Sequence, residues 1–362
     1  MVVSEYQNLI DLNDRPVSWW EKVIKLGTEI SEHPSDFSER CKGKIMATLF
    51  YEPSTRTQMS FQTAMLRLGG TIIGFDNPAT SSVAKGENLK DTTKIVSSYA
   101  DIMVMRHPLE GSAKAAALTA ECPIINAGDG AHLHPTQTLT DLITLYKEKG
   151  RLNNLKVGMC GDLRNGRTVH SLCKALAAFG GNSFVFISTP SLRMPSYIRD
   201  VLDASGCRYT EADTIEEALD GLDMLYMTRI QRERFDSDEE YAAQKDVYRL
   251  DSRKMAAAPE DMIVLHPLPR VDEIAMEVDS DKRALYFKQA KYGMYVRMAL
   301  IITMLEESGS KTPLLSGKLH PSVKCTNPKC ITNSEYYLPK SFRGMNDTLE
   351  CEYCDERILR TY

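Results

Sequence analysis

Three hydroxyls and one guanidinium occupy four consecutive positions, Ser54-Thr55-Arg56-Thr57. The apolar run 44–49 precedes them, and the spaced residues Met59, Phe61, Met65 and Leu68 follow, stopped by Gly69-Gly70. That order predicts a strand, a sharp turn and a helix whose first turn is rich in donors. A helix N-terminus offers unpaired backbone N–H groups and the positive end of a dipole, which attract an anion. A capping role needs one hydroxyl and no arginine beside it. The combination therefore favours an oxyanion site, since hydroxyls and a guanidinium fork match phosphate oxygens.

Four of the nine cysteines carry a second signal, Cys325-x4-Cys330-x20-Cys351-x2-Cys354. Paired thiolates at these spacings suit a tetrahedral zinc site, and a segment this small needs such a staple to fold. The other five, Cys41, Cys122, Cys160, Cys173 and Cys207, are scattered. That distribution argues against a disulfide framework and for a cytoplasmic chain.

The elements that must position these groups alternate. A helical stretch over 5–33, with Leu9, Trp19, Val23 and Leu26 available for burial, leads into strand-like runs at 44–49, 71–75, 102–105 and 123–126. Helical patterns at 54–68, 88–98, 112–120 and 135–147 separate and follow them. The basic, Gly- and Asn-containing segment 149–154 reads as a boundary, after which strands at 157–160, 184–188, 224–227 and 263–265 and helices at 167–179 and 195–204 repeat the scheme. Short, nearly all-apolar strands joined through helices imply two doubly wound parallel α/β domains, 1–150 and 151–283. A long helix, 284–307, ends this region; a linker, 308–324, and a small zinc-ribbon-like β domain, 325–362, complete the expectation.

Ligands of open α/β sheets bind beyond the carboxyl ends of the strands. Those ends carry Met105-Arg106-His107-Pro108, His134-Pro135-Thr136-Gln137, Gly161-Asp162 with Gly166-Arg167, Thr228-Arg229-Ile230-Gln231 and His266-Pro267-Leu268-Pro269. Each has an ordinary structural explanation when taken singly. Their convergence on strand ends does not. Gly161 and Gly166 lack the G-x-G-x-x-G spacing of a dinucleotide site.

These motifs resemble those of the aspartate and ornithine carbamoyltransferase family over about residues 1–310. The resemblance implies that Ser54, Thr55, Arg56, Thr57 and Arg106 bind the phosphate of carbamoyl phosphate. It implies that Thr57, Arg106 and His134 hold the carbonyl oxygen, while Gln137 and the backbone of Pro267, next to Leu268, hold the amide nitrogen. Ser81 and Lys85, on the small polar loop 78–87, reach a neighbouring subunit's site in that family, which works as trimers or multiples of trimers with shared sites. An aspartate substrate needs cations for two carboxylates, and Arg167 and Arg229, with Gln231, supply that; the resemblance adds Lys85 and Leu268 to the aspartate site. An ornithine substrate would want an acidic partner, and its enzymes typically carry Cys where Pro267 stands. The expected activity is transfer of the carbamoyl group to L-aspartate, a step of pyrimidine synthesis, with the metal playing no part in the chemistry. The cysteine-rich tail resembles the zinc domain of the family's separate regulatory chain, whose nucleotide-binding domain has no counterpart here.

A chain of 362 residues with net charge −5, 43% hydrophobic and 26% charged residues, gives no reason to expect nucleic-acid or membrane partners. A transcarbamylase for another amino acid, a non-catalytic zinc-containing assembly partner and a zinc-ribbon nucleic-acid binder are the rival readings. Arg167, Arg229, Gln231 and Pro267 oppose the first. A complete set of donors opposes the second. Acidic residues balancing Lys324, Lys329, Lys340 and Arg343 oppose the third.

Overall fold

The computed structural model describes residues 2–4, 8–230, 237, 239, 241–242, 248–307, 312–345 and 347–359. It divides into two compact units, Met1–Thr136 with Met294–Tyr362, and Gln137–Gly293.

The first unit begins with β1 (Val2–Ser4) and α1 (Val17–Glu32), which buries Trp19, Trp20, Val23, Ile24, Gly27 and Ile30 along one face. The expected helix over 5–33 is shorter than its pattern, and residues 5–7 lie outside the described residues. Leu9 runs alongside the sheet instead, its N–H donating to Ile124 O at 2.9 Å, because Pro16 caps the helix start downstream. The central sheet comprises β2 (Ile45–Phe50), β3 (Thr71–Phe75), β4 (Ile102–His107) and β5 (Ile124–Asp129), all parallel in the order β3-β2-β4-β5. The intervening helices are α2 (Thr55–Arg67), α3 (Leu89–Ser97) and α4 (Ser112–Ala117). Since β3 and β4 flank β2 on opposite sides, the chain reverses direction across the sheet between β2 and β4. Such a switch point opens a crevice at the carboxyl ends of the strands.

Helix α5 (Pro135–Lys149) leads into the second unit, whose strands are β6 (Lys156–Cys160), β7 (Ser183–Ile187), β8 (Arg208–Ala212), β9 (Met224–Met227) and β10 (Ile263–Leu265). They too are parallel, in the order β10-β9-β6-β7-β8, which puts a switch point between β6 and β9. Helices α6 (Arg167–Ala177), α7 (Ser196–Ala204), α8 (Ile215–Ala218) and α9 (Ser252–Ala257) accompany them. β8, α8 and α9 escaped the sequence reading. β8 is an edge strand of sequence Arg-Tyr-Thr-Glu-Ala with solvent on part of both faces, so it lacks the apolar run that marks its neighbours.

Helix α10 (Tyr286–Glu306) ends within the first unit. There Glu307 accepts from Trp19 Nε1 and Lys22 Nζ, each at 2.9 Å, and Arg297 Nη1 donates to Ser60 Oγ of α2 at 3.0 Å. The segment expected as a linker, 308–324, contains two strands among its described residues. β11 (Thr312–Leu315) pairs with β1, and β12 (Lys318–Leu319) opens an antiparallel sheet with β13 (Ser341–Met345), β14 (Thr348–Cys351) and β15 (Arg357–Leu359). This tail shares one apolar cluster with the central sheet: Met105, Ala113 and Ala116 pack in the same core as Ile331, Leu338, Phe342 and Tyr353. At Gly111, the left-handed residue before α4 (φ 84°), an added Cβ would lie 2.6 Å from Tyr353 Cβ, so glycine permits the tail to seat there. No described helix is long and apolar enough to cross a membrane.

Candidate active site

In the first unit the expected phosphate ligands cluster at the switch point. Ser54 occupies the N-cap position of α2, yet its side chain makes no capping hydrogen bond. A hydroxyl at this place that leaves the helix uncapped supports the anion reading over the capping one. Thr57 is buried one turn in, while Thr55 and Arg56 face solvent. Arg106 lies across the strand pair, in register with Phe50, and its guanidinium is largely buried. Its Nη1 donates to Ala127 O at 3.3 Å, Nη2 lies 2.8 Å from Glu52 Oε2, and Nε has no hydrogen-bond partner among the described residues. Partial burial, and then the nearby charge of Arg106, lower the pKa of Arg56. Two guanidiniums that disfavour one another, beside a helix N-terminus, are stabilised by a bound anion.

His134 is buried just after β5, with Nδ1 3.4 Å from Thr136 Oγ1. The turn before it is organised by Asp129, whose carboxylate accepts from Gly111 N at 2.8 Å and Leu133 N at 2.9 Å. Ser81 and Lys85 are elsewhere. Ser81 Oγ donates to Pro78 O at 2.8 Å within its own loop, and Lys85 is exposed and makes no ion pair among the described residues.

In the second unit, Arg167 opens α6 after β6, and Arg229 follows β9, so the two lie at the ends of the neighbouring strands that form the switch point. The turn His266-Pro267-Leu268 follows β10, the next strand along. Leu268 has φ 53°, and its N–H donates to His266 Nδ1 at 2.7 Å while His266 Nε2 meets Glu273 Oε1 at 2.7 Å. The remaining expected aspartate ligand of this unit, Gln231, lies outside the described residues.

Sequence reading missed the groups that hold these ligands. Asp141, fully buried one turn after Gln137 on α5, accepts from Gln137 Nε2 at 2.8 Å, Gln289 Nε2 at 2.6 Å and Tyr226 OH at 3.1 Å. The carboxylate's need for donors fixes the Gln137 amide with its nitrogen toward Asp141. Gln289 Oε1 in turn accepts from His266 N at 3.0 Å, so one network connects Gln137 to the 266–268 turn. The i, i+4 spacing of Gln137 and Asp141 was visible in sequence; the contacts to Tyr226 and Gln289 were not. Glu52, two residues before Ser54, was likewise overlooked.

Two histidines near these turns are held neutral. Burial lowers His107 to about 4 against an opposing pull from Asp129, and its Nδ1 accepts from Leu109 N at 3.0 Å. Burial also lowers His170 to about 4; its Nε2 donates to Leu163 O at 2.7 Å and its Nδ1 meets Tyr197 OH at 2.9 Å. A histidine whose folded pKa is depressed binds fewer protons folded than unfolded as pH falls below its ordinary 6.5. His170 therefore costs the second unit about 2 kcal/mol by pH 5, a loss that continues toward pH 4. An imidazole NMR titration is expected to place the His170 midpoint near 4; a midpoint near 6.5 would contradict the burial argument.

The four tail cysteines converge. Their Sγ atoms all lie within 4.8 Å of one another and all four residues are buried, with Cys325–Cys354 at 3.5 Å and Cys330–Cys351 at 3.8 Å. None of the nine cysteines is paired in a disulfide in this structure. A tetrahedron of sulfurs about 2.3 Å from a central ion has edges of about 3.8 Å, so the cluster has the dimensions of a metal site. Four buried sulfurs this close suit a divalent cation, which takes the place of their protons.

Two parallel α/β sheets, each with cationic groups at its switch point, and an adjoining four-thiol knuckle are the parts of an enzyme for anionic substrates that carries a structural metal. Comparisons with known proteins give the family. Residues 7–147 match the aspartate/ornithine carbamoyltransferase carbamoyl-P binding domain and residues 153–304 the Asp/Orn binding domain. Residues 318–361 match the metal binding domain of the aspartate carbamoyltransferase regulatory chain. The aspartate carbamoyltransferase catalytic subunit of Clostridium kluyveri is 55% identical over 299 residues, 83% of this chain and 98% of that one. Its Clostridium botulinum (strain Okra) counterpart is 57% identical over 300 residues, again 83% and 98%. Among solved structures, the catalytic subunit of M. jannaschii aspartate transcarbamoylase superposes with a TM-score of 0.78 at 44% identity, covering 83% of this chain and 98% of that one. Trypanosoma cruzi aspartate transcarbamoylase in complex with carbamoyl phosphate and aspartate gives 0.76 at 35% identity, covering 82% and 95%. The chain belongs to the aspartate/ornithine carbamoyltransferase family of enzymes, on its aspartate branch, and carries a regulatory-chain type metal-binding domain at its C-terminus.

Proposed function

We propose that this chain transfers the carbamoyl group of carbamoyl phosphate to the amino group of L-aspartate, giving N-carbamoyl-L-aspartate and phosphate for de novo pyrimidine synthesis. The observation that carries the reading is the placement of a distinct donor set at each switch point, phosphate-type in one sheet and paired guanidiniums in the other. The helix N-terminus at Ser54, with Thr55, Arg56, Thr57 and Arg106, binds the phosphate, and Ser81 and Lys85 of a neighbouring subunit complete it. Thr57, Arg106 and His134 donate to the carbonyl oxygen as negative charge grows there, the kind of contribution worth about 3 kcal/mol per well-placed donor. Gln137, whose nitrogen is committed to Asp141, offers its oxygen to the amide nitrogen together with the Pro267 carbonyl. Arg167, Arg229 and Gln231, with Lys85 and Leu268, hold the two carboxylates of aspartate. The amine attacks the carbamoyl carbon, the C–O bond to phosphate breaks, and the departing phosphate takes the amine's proton. His134 polarises and does not deprotonate.

The four cysteines hold zinc, since four thiolates in a tetrahedron suit that ion, and it serves structure rather than the transfer step. The working form is a homotrimer, or a multiple of trimers, in the cytoplasm. The tail supplies assembly contacts.

Ureido-product formation by the purified chain tests the reading. Turnover is expected with carbamoyl phosphate and L-aspartate and not with L-ornithine. Arg229→Ala is expected to raise the KM for aspartate by about 100-fold, the loss of a bidentate charge-assisted contact, with the KM for carbamoyl phosphate little changed. Turnover with ornithine, or none with either amine in folded protein, would overturn the assignment.

A further inference from the structure

Asp355, the residue immediately after the last knuckle cysteine, points away from the sulfurs. It stands in the left-handed conformation (φ 59°), its N–H donating to Cys351 O at 2.9 Å, so the knuckle itself aims the side chain. Its Oδ2 lies 3.0 Å from His132 Nε2, and His132 Nδ1 lies 3.0 Å from Asp129 Oδ2. Carboxylates only accept, so both ring nitrogens of His132 must carry protons. Burial opposes that charge, but Asp129 and Asp355 outweigh it and raise His132 to about 10.

Asp129 is the other end of the bridge. It is 1% exposed and takes four donors: His132 Nδ1, Gly111 N, Asn126 Nδ2 at 3.2 Å and Leu133 N. Leu133 is the residue before His134, and its carbonyl accepts from Asp129 N at 3.2 Å. The turn that presents His134 is thus tied, at both its N–H and its C=O, to a residue that the tail holds through His132.

A second clamp grips the segment that supplies Gly111 N to Asp129. Glu110 N donates to Lys329 O and Glu110 O accepts from Ile331 N, both at 2.9 Å, so the backbone on either side of Cys330 pairs with the segment following β4. Lys114 Nζ donates to Glu352 O at 2.6 Å, between Cys351 and Cys354. Each knuckle therefore grips a segment attached to a strand end that carries a site residue, Arg106 in one case and His134 in the other.

We propose that the metal-binding module acts within its own chain as a brace for the turn 129–134, with Asp355 and His132 as positioning residues for His134. This rests on the reading of His134 as a donor to the carbonyl oxygen. Residues that share one bridge lose their effects non-additively, because breaking it once removes what either supplied.

The test uses the full-length, metal-loaded chain with Asp355→Ala, Asp355→Asn, His132→Ala and the double alanine variant. Metal content, kcat, both KM values and hydrogen exchange of peptides spanning 129–134 are measured for each. Asp355→Ala is expected to keep its metal, leave the KM for aspartate near wild type, lower kcat about tenfold and speed exchange over 129–134 by tenfold or more. Asp355→Asn, which still accepts from Nε2–H, recovers most of both losses, and the double variant is no worse than His132→Ala. A metal-loaded Asp355→Ala with wild-type kcat and wild-type exchange overturns the brace. If Asp355→Ala sheds its metal, His132→Ala decides, since His132 lies outside the tail: unchanged exchange over 129–134 in that variant also overturns it. The exchange measurement needs no turnover, so an inactive wild type would sink the proposed reaction while leaving the brace to be judged by exchange.

Discussion

Replacing Arg106 by alanine is expected to lower kcat/KM by on the order of 10³, through both a reduced kcat and a weaker grip on carbamoyl phosphate. Only Thr57 shares its assignment to both the phosphate and the carbonyl oxygen, and Thr57 brings no charge. The position of the arginine follows from register: β4 pairs with β2 so that Arg106 lies opposite Phe50, a few residues before the N-terminus of α2. Because the guanidinium is mostly buried, its field is poorly screened, and deleting it removes more than a surface charge would. Deletion also leaves Glu52 Oε2 without the cation 2.8 Å away, so a carboxylate then faces the incoming phosphate. The double variant Arg106→Ala/Glu52→Gln should therefore regain about tenfold of the loss in carbamoyl phosphate binding, a like-charge term of roughly 1.4 kcal/mol. Arg106→Lys keeps the charge but lacks the planar fork, and its recovery of kcat should be partial. Steady-state kinetics on folded variants checks all three. A fall of less than about tenfold for Arg106→Ala would remove Arg106 from the oxyanion role.

Stripping the metal is expected to release the tail, residues 318–359, while the two parallel sheets stay folded. Four short antiparallel strands bury little apolar surface of their own, and structural thiolate sites contribute an apparent 10–16 kcal/mol, about as much as a whole domain's net stability. Without the ion, buried thiols must reprotonate at distances of 3.5 to 3.8 Å, and the knuckles lose their geometry. One metal ion per chain should be released by a thiol-modifying reagent. Proteolysis should then cut within the tail, with the two α/β units resisting. Re-adding zinc to reduced protein should restore protection. A metal-free chain whose tail still resists proteolysis would mean that the shared core with Ala113, Ala116 and Met105 holds the module unaided.

The four-cysteine cluster was the most legible part of the sequence, because cysteine spacing is local and the chemistry of a knuckle tolerates few alternatives. The turn at Ser54 was nearly as clear. There the structure adds one observation that sequence could not supply: the Ser54 side chain makes no capping hydrogen bond, which supports the proposed anion role. The alternation of strands and helices gave the fold class, and strands with an apolar run were found close to their observed bounds, as at 224–227 and 263–265. Strand β8 was not found, for its position at a sheet edge removes the burial that writes an apolar pattern. Residues 8–16 and 312–324 were misread for a related reason. One was taken as helix and the other as linker, yet β1 pairs with β11, and Leu9 runs along β5, across separations that no local pattern encodes.

By itself, then, the sequence determined the donor types, their place at strand ends, the pair of guanidiniums in the second unit and the four clustered cysteines. These depend on residue chemistry and on spacings of a few residues. The strand orders were left to the tertiary structure, and with them the fact that each switch point falls where a donor set lies, between β2 and β4 and between β6 and β9. So were the supporting groups. Asp141 meets Gln289 across a separation of 148 residues, and His132 meets Asp355 across 223. A buried carboxylate must find donors wherever the packed chain brings them, and sequence distance places no limit on that search.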